Sequence, residues 1–109
     1  MEKEFISRRF YNIRAAKNIS ARQLSLELGQ SSQYINQIEN GHKMPSIEGL
    51  INFCNHFEIS VAEFFNREEQ YPIQYKALIK ELNRLDSDEV DEIMTIAKRY
   101  SRNKANKSN

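Results

Sequence analysis

Apolar residues recur every three or four positions along most of this chain, the period of an α-helix buried on one face. Ile6, Phe10 and Ile13 mark the first such stretch, over residues 3–17, with Arg8, Arg9 and Arg14 around them. Ser20 is placed to cap a short helix over 21–28, where Leu24 and Leu28 point inward and Gly29 provides the stop. After Gln30, Ser31 is a second candidate cap, for a third helix that runs to Asn40 and halts at Gly41. Pro45 and Ser46 precede a fourth helix, with a buried face predicted as Ile47, Leu50, Ile51, Cys54 and Phe57. Gly49 within it reads as a weakness of about 1 kcal/mol relative to Ala. Ser60 and Glu63 have the spacing of a capping box ahead of a fifth, short helix ending at Phe64 and Phe65.

Residues 66–72 are polar and contain Pro72, which suits a connection. Two longer stripes follow. Tyr75, Leu78, Ile79, Leu82 and Leu85 form the first; Val90, Ile93, Met94, Ala97 and Tyr100 form the second, with Ser87 as its candidate cap. Acidic residues crowd the start of the second stripe, and Lys98 and Arg99 lie near its end, the polarity a helix dipole favours. The two read as one helical hairpin. The pattern predicts three parts: a domain over 1–66, a helical segment over 67–101 and a disordered basic tail over 102–109.

Composition narrows the possibilities. The chain has 109 residues, 3 of them Gly and 2 Pro, too few for a fold built on many tight turns. An all-α architecture follows, without a Gly-rich loop to cradle a phosphate. No apolar run approaches the ~18 residues of a membrane span, and MEKEFISRRF lacks the apolar core of a signal peptide. The one cysteine, Cys54, permits no internal disulfide, which fits a cytoplasmic location. With it and two separated histidines, soft ligands are too few for a zinc site. His42 and His56 read as surface or packing residues. No nucleophile, base or metal cluster suggests an enzyme, and no cofactor is expected.

The segment 21–40 carries the functional signal. Two short helices joined by Leu28-Gly29-Gln30-Ser31 have the helix-turn-helix pattern, with small Ser25 where they would cross. At 100° per residue, Ser32, Gln33, Asn36, Gln37 and Asn40 fill a continuous arc of roughly 140° on the second of these helices. Every member is polar and uncharged. A solvated helix face more often carries Lys and Glu. Amides instead suit a DNA major groove, where Asn and Gln pair with adenine N6 and N7. Ile35 and Ile38 lie opposite; Tyr34 has two readings, stacking on the sugar-phosphate backbone or packing on the domain.

These residues resemble the phage-repressor-like (Cro-type, XRE) helix-turn-helix regulators. The match runs through Ile13-Arg14, Ile19-Ser20, Leu24, Leu28-Gly29, Ser31, Ile35, Ile38-Glu39-Asn40-Gly41, Pro45-Ser46, Leu50, Phe57-Glu58-Ile59-Ser60 and Phe64-Phe65. The resemblance implies a five-helix lambda-repressor-like domain followed by the helical hairpin. It implies base reading by Ser32, Gln33, Asn36 and Gln37, phosphate contacts by Asn40 and Lys43, and an Arg14–Glu39 pair locking the first helix to the third. Two positions depart from the family pattern. Ala21 stands where many members place a backbone-contacting Gln, and Gln30 stands where the turn is usually apolar.

One such domain reads few base pairs, and a two-fold dimer doubles the site. A homodimer through Tyr75, Leu78, Ile79, Leu82, Val90, Ile93, Met94, Ala97 and Tyr100 is therefore expected, acting as a repressor on a palindromic operator in double-stranded DNA. The alternative is an antitoxin-type protein whose C-terminal helices bind a partner protein, with DNA binding for autoregulation. The net charge of +1 hides a separation: residues 1–26 carry +4, 27–66 carry −4, 67–92 carry −4 and 93–109 carry +5. The basic end suits either a solubilising tail or an extra DNA contact.

Overall fold

Serines open three of the helices. The hydroxyls of Ser20, Ser46 and Ser60 accept from the backbone N–H of Gln23, Gly49 and Glu63. Each satisfies a donor that a first helical turn leaves without a partner. They start α2 (Ala21–Glu27), α4 (Ile47–His56) and α5 (Val61–Phe65). Glu63 Oε1 accepts in turn from the N–H of Ser60 at 2.9 Å, completing the capping box. α1 spans Glu2–Ala16, α3 Tyr34–Glu39, α6 Pro72–Leu82 and α7 Ser87–Ser108. The computed structural model describes residues 2–108, and among these the fold is all-α. No described helix is long and apolar enough to cross a membrane.

Left-handed residues close α2, α3 and α4. Gly29 and Gly41 have φ of +74° and +76°, and the amides just beyond them, of Gln30 and His42, reach back to Ser25 O and Gln37 O at 2.9 Å. This is the six-to-one closure that a glycine makes cheaply. α4 ends the same way on Glu58, at φ +57°, with the N–H of Ile59 on Cys54 O at 3.0 Å.

The chain divides into two compact units, Met1–Tyr75 and Lys76–Asn109. In the first, Phe10, Phe53 and Phe64 have no solvent exposure and bring α1, α4 and α5 together. Phe10 stacks on Phe53 with centroids 4.0 Å apart, and Phe64 meets both edge-on. Leu24, Ile35 and Ile38 continue this core under α2 and α3. Buried Arg9 closes its lower end. Its Nε donates to Phe64 O at 2.7 Å, Nη2 to Glu63 O and Asn66 O, and Nη1 to Glu69 O. One guanidinium thus gathers four carbonyls at the end of α5 and in the following loop, two of which, Glu63 O and Asn66 O, also accept from backbone amides. Burial lowers its pKa, and the charge of Glu69 opposes that shift. The connection 66–72 is tied to the domain by these bonds and by buried Pro72, so the first unit extends past residue 66.

Four local expectations differ from the structure. α3 begins at Tyr34, and Ser31 caps nothing: residues 31–33 make a tight turn in which the N–H of Tyr34 meets Ser31 O at 3.1 Å. The inner face of α4 is Gly49, Leu50, Phe53, Cys54 and Phe57, while Ile47 is 81% exposed and Ile51 is exposed too. Ile47 and Ile51 share the helical spacing but flank the arc that bulky Phe53 centres on the core. α7 is capped by Asp86: its Oδ1 accepts from the N–H of Glu89, and Glu89 Oε1 accepts from the N–H of Asp86. The tail expected to be disordered over 102–109 instead continues α7 to Ser108, and Asn109 lies outside the described residues. Arg102, Lys104 and Ala105 are good helix formers, no Gly or Pro intervenes, and extending a helix is far easier than nucleating one.

Candidate nucleic-acid interface

α3 has only six residues, too short to be stable alone. It is held by its neighbours. Ser25, fully buried on α2, accepts the N–H of Ile35 on its Oγ at 3.0 Å and donates to Ala21 O at 2.7 Å. The cap missing from the chain before α3 is thereby supplied from α2. Ile35 and Ile38 are completely buried, and Tyr34 packs inward against α4. A Cβ at Gly49 would lie 2.5 Å from the Tyr34 hydroxyl, so the absence of a side chain there makes room for the ring. Of the two readings of Tyr34, packing is the one observed, and burial raises its pKa.

The third restraint is ionic. Arg14 Nε donates to Glu39 Oε2 at 2.7 Å and Nη2 to Oε1 at 2.9 Å, a two-pronged pairing. Nη1 also donates to Ile19 O at 2.7 Å, and the guanidinium lies 5.3 Å from the Tyr11 ring. The Glu39 hydrogen bond raises the pKa of Arg14 against the cost of desolvation. α1, the turn before α2, and α3 thus meet at one side chain.

With its inner face fixed in three ways, α3 presents its outer face to solvent. Asn36 and Gln37 are exposed on the helix, Gln33 just before it and Asn40 at its C-cap; Ser32 is half-buried in the preceding turn. Lys43 is exposed beyond Gly41, its Nζ 5.2 Å from the centre of the Tyr34 ring. The structure therefore gathers the polar positions singled out from the sequence onto one side of the domain, with Lys43 beside them. Ala21 opens α2 half-buried, and Gln30 is exposed in the turn. Sequence reasoning missed three supports of this surface: Ser25 as the acceptor that caps α3, Gly49 as the seat of Tyr34, and Arg9. The small residue at the crossing is legible in the sequence, but its hydrogen bond spans ten residues and has no local signature.

The expected pairing residues lie on α6 and α7. Leu78 and Ile79 are exposed, as are Ile93, Met94, Ala97 and Tyr100; Tyr75, Leu82 and Val90 are half-buried. Ile96 adds a further exposed apolar position on α7.

Two short helices crossing at a buried serine, the second with an outward amide face, define a helix-turn-helix domain. A family model for the XRE-type helix-turn-helix matches residues 10–64, about half the chain, and the chain belongs to that family. It is a DNA-binding transcriptional regulator of that type. No curated protein and no solved structure matches it.

Proposed function

We propose that this chain is a repressor that binds a palindromic operator as a homodimer. The carrying observation is the outer face of α3: exposed uncharged amides on a helix whose inner face is locked by Ser25, Tyr34, Glu39 and the core. Ser32, Gln33, Asn36 and Gln37 read base edges, where Gln and Asn suit adenine. Asn40 and Lys43 hold phosphates and set the depth of the helix in the groove. Binding itself is the mechanism, since an occupied operator excludes the polymerase. A rigid reading helix suits this role because its side chains meet the bases without first being ordered.

The second copy is recruited by α6 and α7. A 22-residue helix that leaves Ile93, Met94, Ile96 and Tyr100 exposed has an apolar stripe in need of a cover. The same stripe would serve the antitoxin-type alternative, in which another protein takes the place of the second copy.

Selection of bound duplexes from a random pool tests the reading. A palindromic consensus with half-sites about one helical turn apart is the expected result. Gln33→Ala and Gln37→Ala should each cost about 1–3 kcal/mol at the selected site and relax its sequence, while Lys43→Ala weakens all duplexes alike. Unchanged affinity in both glutamine variants refutes the placement of the reading face. A monomer by ultracentrifugation at micromolar concentration, with and without the operator, refutes the homodimer.

A further inference from the structure

The first two turns of α1, Glu2–Arg9, lie ahead of the residues that match the family. They are not a loose arm. Ile6 is buried, Phe5 meets Phe64 edge-on and stacks against Phe65, and Arg9 is fixed by the carbonyls at the end of α5. This anchoring turns the other side of α1 towards the end of α3. Lys3, Ser7, Tyr11 and Arg14 follow one another at helical spacing along that side. Facing them are Asn36, Glu39, Asn40 and Gly41, and the two rows enclose an open groove of about 710 Å³. Lys3 reaches to within 3.9 Å of where a Cβ on Gly41 would stand.

The groove shares Asn36 and Asn40 with the polar face of α3, so a duplex lying on that face runs past its mouth. Its charges are not balanced as in a buried ion pair. Arg14 and Glu39 satisfy each other. Lys3 and Arg8 then outnumber Glu4 among the remaining lining residues. Both cations are exposed, and α1 places them at fixed positions beside the C-terminal end of the reading helix.

The geometry points to a phosphodiester-binding groove: Lys3 and Arg8 grip the backbone of duplex DNA beyond the base pairs that α3 reads. This rests on the reading of α3 given above and extends the footprint outward from it. A fixed cation on a folded helix loses less freedom on binding than one on a flexible arm, so each contact retains more of its counterion-release gain.

The test compares the full chain with a Lys3→Ala/Arg8→Ala double variant on the selected operator and on random duplex. Affinity for both should fall roughly ten-fold or more near 0.1 M salt, and the slope of log affinity against log salt should flatten by about 2. Base preference should stay the same. Trimming the base pairs that flank the half-sites should lower the wild-type affinity towards that of the variant and leave the variant little changed. A Lys3→Arg/Arg8→Lys variant should bind as the wild type does. If Lys3 served only the end of α3, thermal stability would move and the salt slope would not. An unchanged slope, in a chain whose Gln37→Ala variant does lose base preference, overturns the groove alone. A flattened slope, with Gln37→Ala indistinguishable from wild type, keeps the groove and removes the base-reading role.

Discussion

Replacing Ser25 with Ala isolates the bond that positions α3. The hydroxyl accepts from the N–H of Ile35 at 3.0 Å, and both residues have no solvent exposure. Water cannot substitute for the lost oxygen, so Ser25→Ala leaves a buried donor without a partner, at a cost of about 1–3 kcal/mol. The second bond, from Oγ to Ala21 O, is less costly to lose because that carbonyl lies within the helical ladder of α2. Alanine also returns about 0.5 kcal/mol as the better helix former. The net destabilisation is then about 0.5–2.5 kcal/mol. For a urea slope of about 1.5 kcal/mol/M, this lowers the unfolding midpoint by roughly 0.3–1.7 M. The tyrosines of the first unit report the transition in the near ultraviolet, and hydrogen exchange at the Ile35 amide should accelerate in parallel. A midpoint equal to or above that of the wild type would refute the argument that α2 supplies the cap of α3.

Three further outcomes follow from other contacts. Gly49→Ala should destabilise the domain despite its better helix propensity, by about 1–3 kcal/mol, because its Cβ would stand 2.5 Å from the Tyr34 hydroxyl; an accompanying Tyr34→Phe should recover much of the loss in the same urea titration. Glu58→Gly should raise the thermal midpoint, since a left-handed residue at φ +57° is relieved of roughly 1 kcal/mol of strain, and a lowered midpoint would contradict this. Burial pushes the Cys54 thiol up to about 11, with the charge of Glu63 adding to the shift. Below that pH the folded chain holds a thiol rather than a thiolate, so iodoacetamide at pH 8 should label Cys54 far more slowly in the native protein than in urea.

What was legible in the sequence was largely what is decided locally. Ser20, Ser46, Ser60 and Glu63 bond to amides three residues away, and Gly29 and Gly41 turn the chain where they stand, so each announces a helix end. The polar face of α3 was legible for a related reason: Asn36, Gln37 and Asn40 are recognised by the neighbours they lack. Misreadings arose where a distant residue decides the outcome. Ser31 has the look of a cap, but Ser25 already occupies that role from another helix. Ile47 and Ile51 fit the apolar spacing of α4, but Phe53 sets which side meets Phe10. Nothing local sets Arg9 apart from Arg8 and Arg14, because its partners lie more than fifty residues away. The tail was judged by the apolar residues it lacks, although a helix already under way needs few of them to continue.

The division of labour within α3 leaves its outward alphabet free to change. Tyr34, Ile35, Ile38 and Glu39 carry the packing and the ion pair, while Gln33, Asn36, Gln37 and Asn40 are exposed and take no part in either. On the proposed reading, substitutions at the second set would alter what the surface recognises at little cost to folding, while the scaffold stays the same. A combinatorial library over those four positions should consist mostly of folded proteins, a ready source of regulators with new targets on one frame.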